Sequence, residues 1–197
     1  MKYASTGSEG EVLPNLLGFT TLAAVQQAET EGSLRAEQAL LDELCEDQLF
    51  DAAYICEIHR RALAQVYSFA GTYRAVNLSK GGFTFPAAQY LLQSMVQLER
   101  ETLQTLPPSW PDVVALAADV ARIHAELLFI HPFREGNGRT ARVLANLMAY
   151  KNGSASFRWE KLAEPIHFEQ YVQAVQAAGR LDYTPMQQLF TVLLPPE

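Results

Sequence analysis

Between Asp112 and Ile130 the apolar residues Val113, Leu116, Val120, Ile123, Leu127 and Ile130 recur at steps of three and four. Asp112, Asp119 and Glu126 share another face. That period predicts an amphipathic helix. A second helix is predicted from about Asn137 to Tyr150, with Val143, Leu144, Leu147 and Met148 on its apolar side and Asn152-Gly153 as its stop. Similar spacing predicts helices over about residues 21–44, 51–67, 86–103 and 166–178. A last helix is predicted to open with Thr184 as cap and Pro185 at the first helical position. The proline-rich residues 106–111 read as a connector. Residues 71–85, GTYRAVNLSKGGFTF, break the helical pattern: β-forming residues flank Lys80-Gly81-Gly82, which predicts a short hairpin. A lone hairpin is marginal in water, so this one is expected to lean on the helices, as a lid or edge over a cleft.

The 197 residues are 49% hydrophobic, enough for one ordinary core, and no repeat, low-complexity tract or second composition block divides them. One domain of all-α class with a hairpin is expected, preceded by a short extension over residues 1–18. Lys and Arg total 15 against 22 Asp and Glu, a net charge of -7, which argues against a broad nucleic-acid footprint. The first residues, MKYASTGSEGE, lack the apolar run of a secretory signal, and no later segment is long and apolar enough to cross a bilayer. A soluble, cytoplasmic protein without membrane contact is expected, its oligomeric state open. Cys45 and Cys56 have neither zinc-site spacing nor clustered partners and read as buried free thiols.

The chemistry concentrates in IHPFREGNGRTARVL, residues 130–144, between the two central helices. Gly136, Asn137 and Gly138 precede a helix, where unpaired N–H groups and the positive end of the dipole favour an anion. Arg139 and Arg142, three apart, can reach neighbouring phosphates on one side of that helix. Glu135 beside them would repel a bare phosphate, but Mg2+ is held by one or two carboxylates together with phosphate oxygens, so a Mg-nucleotide suits the group better. His131 is placed to act as a general base towards a hydroxyl, with a pKa expected near working pH. Phe133 would bury its ring and pin the loop. Each piece has a plain structural reading: a helix-end histidine, a Glu135–Arg139 pair, a Gly-Asn-Gly turn. Their joint order and helical context argue against coincidence.

The string from His131 to Arg142 resembles the signature of the Fic family, HxFx(D/E)GNGRxxR, with every specified position filled. LPNLLGFTT near the start, FAGTYRAVNLSKGG before the motif and LDYTPMQQL near the end also resemble Fic-domain proteins. The resemblance implies a compact all-α fold with a β-hairpin flap, and transfer of AMP from ATP to a hydroxyl side chain of a target protein with release of pyrophosphate. It implies His131 as base and Glu135 as the Mg2+ carboxylate. Asn137 with the Gly136 and Gly138 backbone would lie at the α-phosphate, Arg139 and Arg142 at the β- and γ-phosphates. The flap, Val76, Asn77, Leu78, Ser79, Lys80 and Gly81 onward, would hold the target by strand pairing. Family members with Lys at the Gly138 position phosphorylate, and those with Ala at the Gly136 position transfer phosphocholine; this chain has neither change. The family's inhibitory pattern, (S/T)xxxE(G/N), would place a glutamate on Arg142. Residues 5–10 fit the string in a setting unsuited to a helix. Residues 27–32 are helical but begin with Gln27, making Glu31 a candidate for weak self-inhibition. A bacterial toxin held by a separate small antitoxin is therefore the expectation. The alternatives are a catalytically silent or repressed nucleotide-binding docking module, or another phosphate-containing-group transferase of the same fold.

Overall fold

The computed structural model describes residues 4–5 and 12–195. Seven helices follow in order: α1 (Leu22–Asp42), α2 (Ala52–Leu63), α3 (Leu91–Glu101), α4 (Val113–Ile130), α5 (Asn137–Lys151), α6 (Pro165–Ala178) and α7 (Thr184–Leu193). Their starts are set by local chemistry. The side chains of Thr21, Asp51 and Asp112 accept hydrogen bonds from the N–H groups of Ala24, Tyr54 and Ala115, satisfying donors the first helical turn cannot. At α7 the predicted cap shifts by one: Tyr183 is the cap residue and Thr184 already helical.

The apolar stripe read along α4 is largely buried, and α4 is the central helix, packed by α3, α5, α6 and α7. A smaller cluster, Val25, Ala36, Ala62, Leu63, Val66 and Tyr67, closes α1 onto α2. These helices approach closely at Gly32, where an added Cβ would stand 2.1 Å from the Ala62 carbonyl oxygen. Only glycine fits that crossing.

Three strands, shorter than the predicted hairpin, form one antiparallel sheet in the order β1 (Ala4–Ser5), β2 (Leu78–Lys80), β3 (Phe83–Thr84). Gly81 and Gly82 both have positive φ, as a two-residue hairpin turn requires. The outer edge of β2 is taken by β1, with Ala4 opposite Ser79 and Ser5 opposite Leu78. The sequence pattern predicts no strand there. It also runs α2 four residues too far, starts α3 too early, and misses the 3-10 segment Trp159–Ala163. Neither cysteine is buried as expected: Cys45 is exposed and Cys56 half-buried, both free. Among the described residues no helix is long and apolar enough to cross a membrane.

Candidate active site at the α4–α5 loop

Helix α4 ends at His131, which adopts the left-handed conformation (φ 54°, ψ 58°) while its N–H still donates to the Leu127 carbonyl at 2.9 Å. A non-glycine residue rarely occupies that region, and such strain gathers at functional sites. The ring is 6% exposed, lies between helix and flap, and stacks on Phe85 with centroids 3.9 Å apart. Its Nδ1 sits 2.9 Å from the Leu128 carbonyl oxygen. A carbonyl only accepts, so the proton is on Nδ1 and Nε2 is the basic nitrogen. Burial, reinforced by the charges of Arg74 and Lys80, pushes the imidazole down to about 3. That departs from the expectation of a pKa near working pH. At neutral pH the ring is unprotonated and able to accept a proton, as a weaker base than one titrating near working pH.

From His131 the chain makes a tight loop before α5. Phe133 is fully buried and stacks on His59 with centroids 3.8 Å apart, as its apolar character predicts. Burying such a ring stabilises by about 1.5–3 kcal/mol. Asn137 braces the same loop: its Oδ1 accepts from the Phe133 N–H at 2.9 Å and its Nδ2 donates to the Phe133 carbonyl at 2.7 Å. Both ends of that side chain are thereby engaged within the loop, and what Asn137 offers an anion is its backbone N–H. Gly136 has φ 80°, and a Cβ there would meet Leu63 Cδ1 at 2.5 Å. At Gly138 a Cβ would meet nothing within 4 Å, so the space above the start of α5 is open. The N–H groups of Asn137, Gly138 and Arg139 open that helix, and the first intrahelical bond runs from Thr140 to Gly136.

The two arginines differ. Arg139 is mostly buried, its Nη2 2.9 Å from Glu29 Oε2 and 3.6 Å from Glu135 Oε1. Those contacts are not aligned as hydrogen bonds, and its Nε and Nη2 have no acceptor among the described residues. Buried donors without acceptors are costly, which marks a place where an anion would be welcomed. Arg142 makes no ion pair within 4 Å among the described residues, and its field reaches Glu37, His124 and Tyr171. Glu37, which accepts from Asn146 Nδ2 at 2.7 Å, has its carboxyl raised by burial, partly offset by that bond and by Arg142. Glu135 is the one carboxylate the loop contributes, its Oε1 accepting from the Gly136 N–H at 3.0 Å. No cluster of three metal-binding side chains occurs among the described residues. A single carboxylate beside an anion site fits Mg2+ arriving with phosphate oxygens and water.

Three contributors escaped the sequence reading. Arg74, 4% exposed, donates from Nε to the His131 carbonyl at 2.8 Å, from Nη1 to Val76 at 2.7 Å and from Nη2 to Pro86 at 2.6 Å. Its own N–H donates to the Pro132 carbonyl at 2.8 Å, so one side chain ties both legs of the flap to the motif loop. His59 accepts from the Gly71 N–H at Nδ1 and donates from Nε2 to the Glu135 carbonyl at 2.9 Å. Burial lowers it to about 4, so it stays neutral as a spacer under the loop. Glu29 is the third. The glutamate singled out beforehand, Glu31, points elsewhere: it accepts from Gln27 at 2.9 Å and lies 3.9 Å from Arg35 on the exposed side of α1. Glu29, 1% exposed, meets Arg139 instead, and neither is an ion-pair partner of Arg142.

Of the flap residues, Val76 accepts from Arg74, and Asn77 Oδ1 accepts from the Ala88 N–H at 2.9 Å. Leu78 is buried, Ser79 and Lys80 complete β2, and Gly81 opens the turn. Phe83 and Phe85 carry the hairpin onto Phe129 and His131.

Similarity to known proteins extends over this region. The model of the Fic/DOC family matches residues 49–149, from just before α2 through most of α5. Protein adenylyltransferase fic-1 of Caenorhabditis briggsae is 34% identical over 104 residues, which is 50% of this chain and 19% of that protein. Protein adenylyltransferase VbhT of Bartonella schoenbuchensis is 32% identical over 143 residues, 70% of this chain and 28% of VbhT. The match thus spans less than a third of either relative. Among solved structures, the N-terminal FIC domain of Bep8 from Bartonella sp. 1-1C matches with a TM-score of 0.78 at 17% identity, covering 97% of this chain and 94% of that one. BepC from Bartonella tribocorum, solved with bound AMPPNP, matches at 0.75 and 18%, covering 97% and 96%. At such identities the structural likeness speaks for the fold. A helical fold shared over nearly its whole length and a family model matched across half of it lead to one conclusion: the chain belongs to the Fic/DOC family.

Proposed function

We propose that the protein transfers AMP from Mg-ATP to a Ser, Thr or Tyr hydroxyl of a target protein. The observation that carries this reading is the coincidence of an open, N–H-lined helix start at Gly138, a half-buried Arg139 with unmatched buried donors, and a neutral histidine whose basic nitrogen is Nε2. The adenylyltransferase names of the relatives support the group transferred.

In this reading His131 Nε2 takes the proton as the target oxygen attacks the α-phosphorus. The bond from that phosphorus to the α–β bridging oxygen breaks, and pyrophosphate leaves. The N–H groups at the start of α5 stabilise charge on the α-phosphate, and fixed dipoles do this without reorganising. Arg139 and Arg142 take the β- and γ-phosphates, and Glu135 would hold Mg2+. The ion supplies charge neutralisation on the phosphates and leaving group. The flap, Val76 to Phe85, presents the target as an added strand on β2, which turns the encounter into an oriented one. An incoming strand would take, or continue, the position that β1 holds at that edge.

Control by a small antitoxin belongs to the same proposal, with the protein acting as a toxin. Arg142 has no carboxylate within ion-pair distance among the described residues, which leaves it for a γ-phosphate or for an inhibitor's acid. The test is incubation with Mg2+ and α-labelled ATP in a cell extract, beside His131→Ala, with γ-labelled ATP in parallel. Label from the α-phosphate on a defined band, reduced at least about 100-fold in the variant, is expected for loss of a general base. Label only from the γ-phosphate would overturn AMP transfer in favour of phosphorylation.

A further inference from the structure

Glu29 is a buried carboxylate outside the motif. Its Oε1 accepts a 2.6 Å hydrogen bond from the hydroxyl of Tyr67, itself 1% exposed, and its Oε2 lies 2.9 Å from Arg139 Nη2. On the other side, Glu135 Oε1 is 3.6 Å from the same nitrogen. Arg139 therefore stands between two acids. A guanidinium so placed is drawn to both acids, and Glu29 is the nearer, its carboxylate held in place by the Tyr67 hydroxyl.

We propose that Glu29 and Tyr67 are positioning residues for Arg139. They keep its guanidinium on the α1 side and stop it closing further onto Glu135, 3.6 Å away, the carboxylate assigned to Mg2+. The inference rests on the Mg-nucleotide reading of the site. An opposite role, in which Glu29 withdraws Arg139 from the nucleotide, would suit an acid on a removable segment. Glu29 is instead fixed in the fold. It sits three residues before Gly32, where α1 meets the α2 backbone too closely for any side chain, and Ser33 Oγ donates to its carbonyl at 2.8 Å. Its backbone is held where the two helices cross, and its carboxylate is held by Tyr67.

The test is equilibrium ATP binding by calorimetry on the full chain, in EDTA and at graded Mg2+, with melting temperature measured alongside. Glu29→Gln, the milder Tyr67→Phe, the exposed control Glu31→Gln, and the double variant Glu29→Gln/Glu135→Gln are compared. Glu29→Gln is expected to weaken metal-free ATP binding about tenfold and to shrink the gain on adding Mg2+, with a smaller effect in Tyr67→Phe and none in Glu31→Gln. The double variant should recover metal-free affinity, because Arg139 loses the acid that captures it. A purely structural role would lower the melting temperature without this recovery. Tighter ATP binding in Glu29→Gln, or unchanged binding in both single variants, would overturn the inference. A wild-type chain that binds no ATP at any Mg2+ concentration would sink the nucleotide reading itself.

Discussion

Gly136 and Gly138, two positions apart in one loop, have opposite surroundings. At Gly136 an alanine must adopt φ near 80°, which costs about 1–2 kcal/mol, and push its methyl into Leu63. At Gly138 the backbone is helical and the space empty, so alanine gains helix propensity of up to about 1 kcal/mol. Gly136→Ala is therefore expected to lower the urea midpoint clearly. Gly138→Ala should leave it unchanged or raise it while weakening ATP binding, because its methyl stands where a phosphate would approach. Equal losses of stability in both would contradict this division of roles. The motif residues themselves were legible because their chemistry is local, carried by a dozen consecutive positions. Glu29 was not. An isolated glutamate on a predicted helix reads as solvated, and only the packing of α1 against α2 and α5 turns it inward. The Glu31-Gly32 pair that caught attention has a packing explanation for its glycine and an exposed partner for its acid.

Among the elements, the flap depends most on the rest of the fold. Its two short strands are held to α4 by Phe83, Phe85 and the fork of Arg74. Hydrogen bonds from a charged donor contribute about 1.5–3 kcal/mol each, and removing the donor strands the carbonyls of His131, Val76 and Pro86. Arg74→Lys keeps the charge but cannot reproduce the planar fork. That variant is expected to lose about 2 kcal/mol or more of stability. Hydrogen exchange over residues 76–86 should accelerate by a larger factor than exchange within α4. Uniform acceleration throughout would mean that Arg74 supports the whole fold rather than the flap. Helix existence was readable from the 3.6-residue period. Ends were less so: apolar spacing continues past Leu63 through Val66 and Tyr67, although the chain has already left the helix. Strand β1 carries no period at all, since two residues cannot show one.

On the scale of the whole molecule, three buried histidines meet around the α4–α5 junction: His59 under the loop, His131 above it, and His124 in the core. His124 donates from Nδ1 to the Ala141 carbonyl and accepts from the Tyr171 hydroxyl at Nε2, 2.7 Å away. Burial lowers all three, to about 4 for His59 and about 3 for His124 and His131. In the unfolded chain each titrates near 6.5, so below that pH the unfolded state binds protons that the folded state refuses. Stability from these groups is therefore fully present above pH 6.5 and is lost as pH falls towards 4 and then 3. The slope is at most about 1.4 kcal/mol per pH unit for each histidine, or roughly 4 kcal/mol per unit for the three together. Glu57, held down to about 2 chiefly by Arg60, extends the same trend at lower pH as its carboxylate is protonated. Urea unfolding between pH 7.5 and 4.5 should thus show a steep fall in stability beginning near 6.5. His131→Asn, which keeps a short polar side chain but cannot titrate, should remove about a third of that slope. A profile that stays flat to pH 5 would mean that the histidines accept protons in the folded state. Burial would then not govern the charge of His131, although a base that titrates near neutrality could still take the proton.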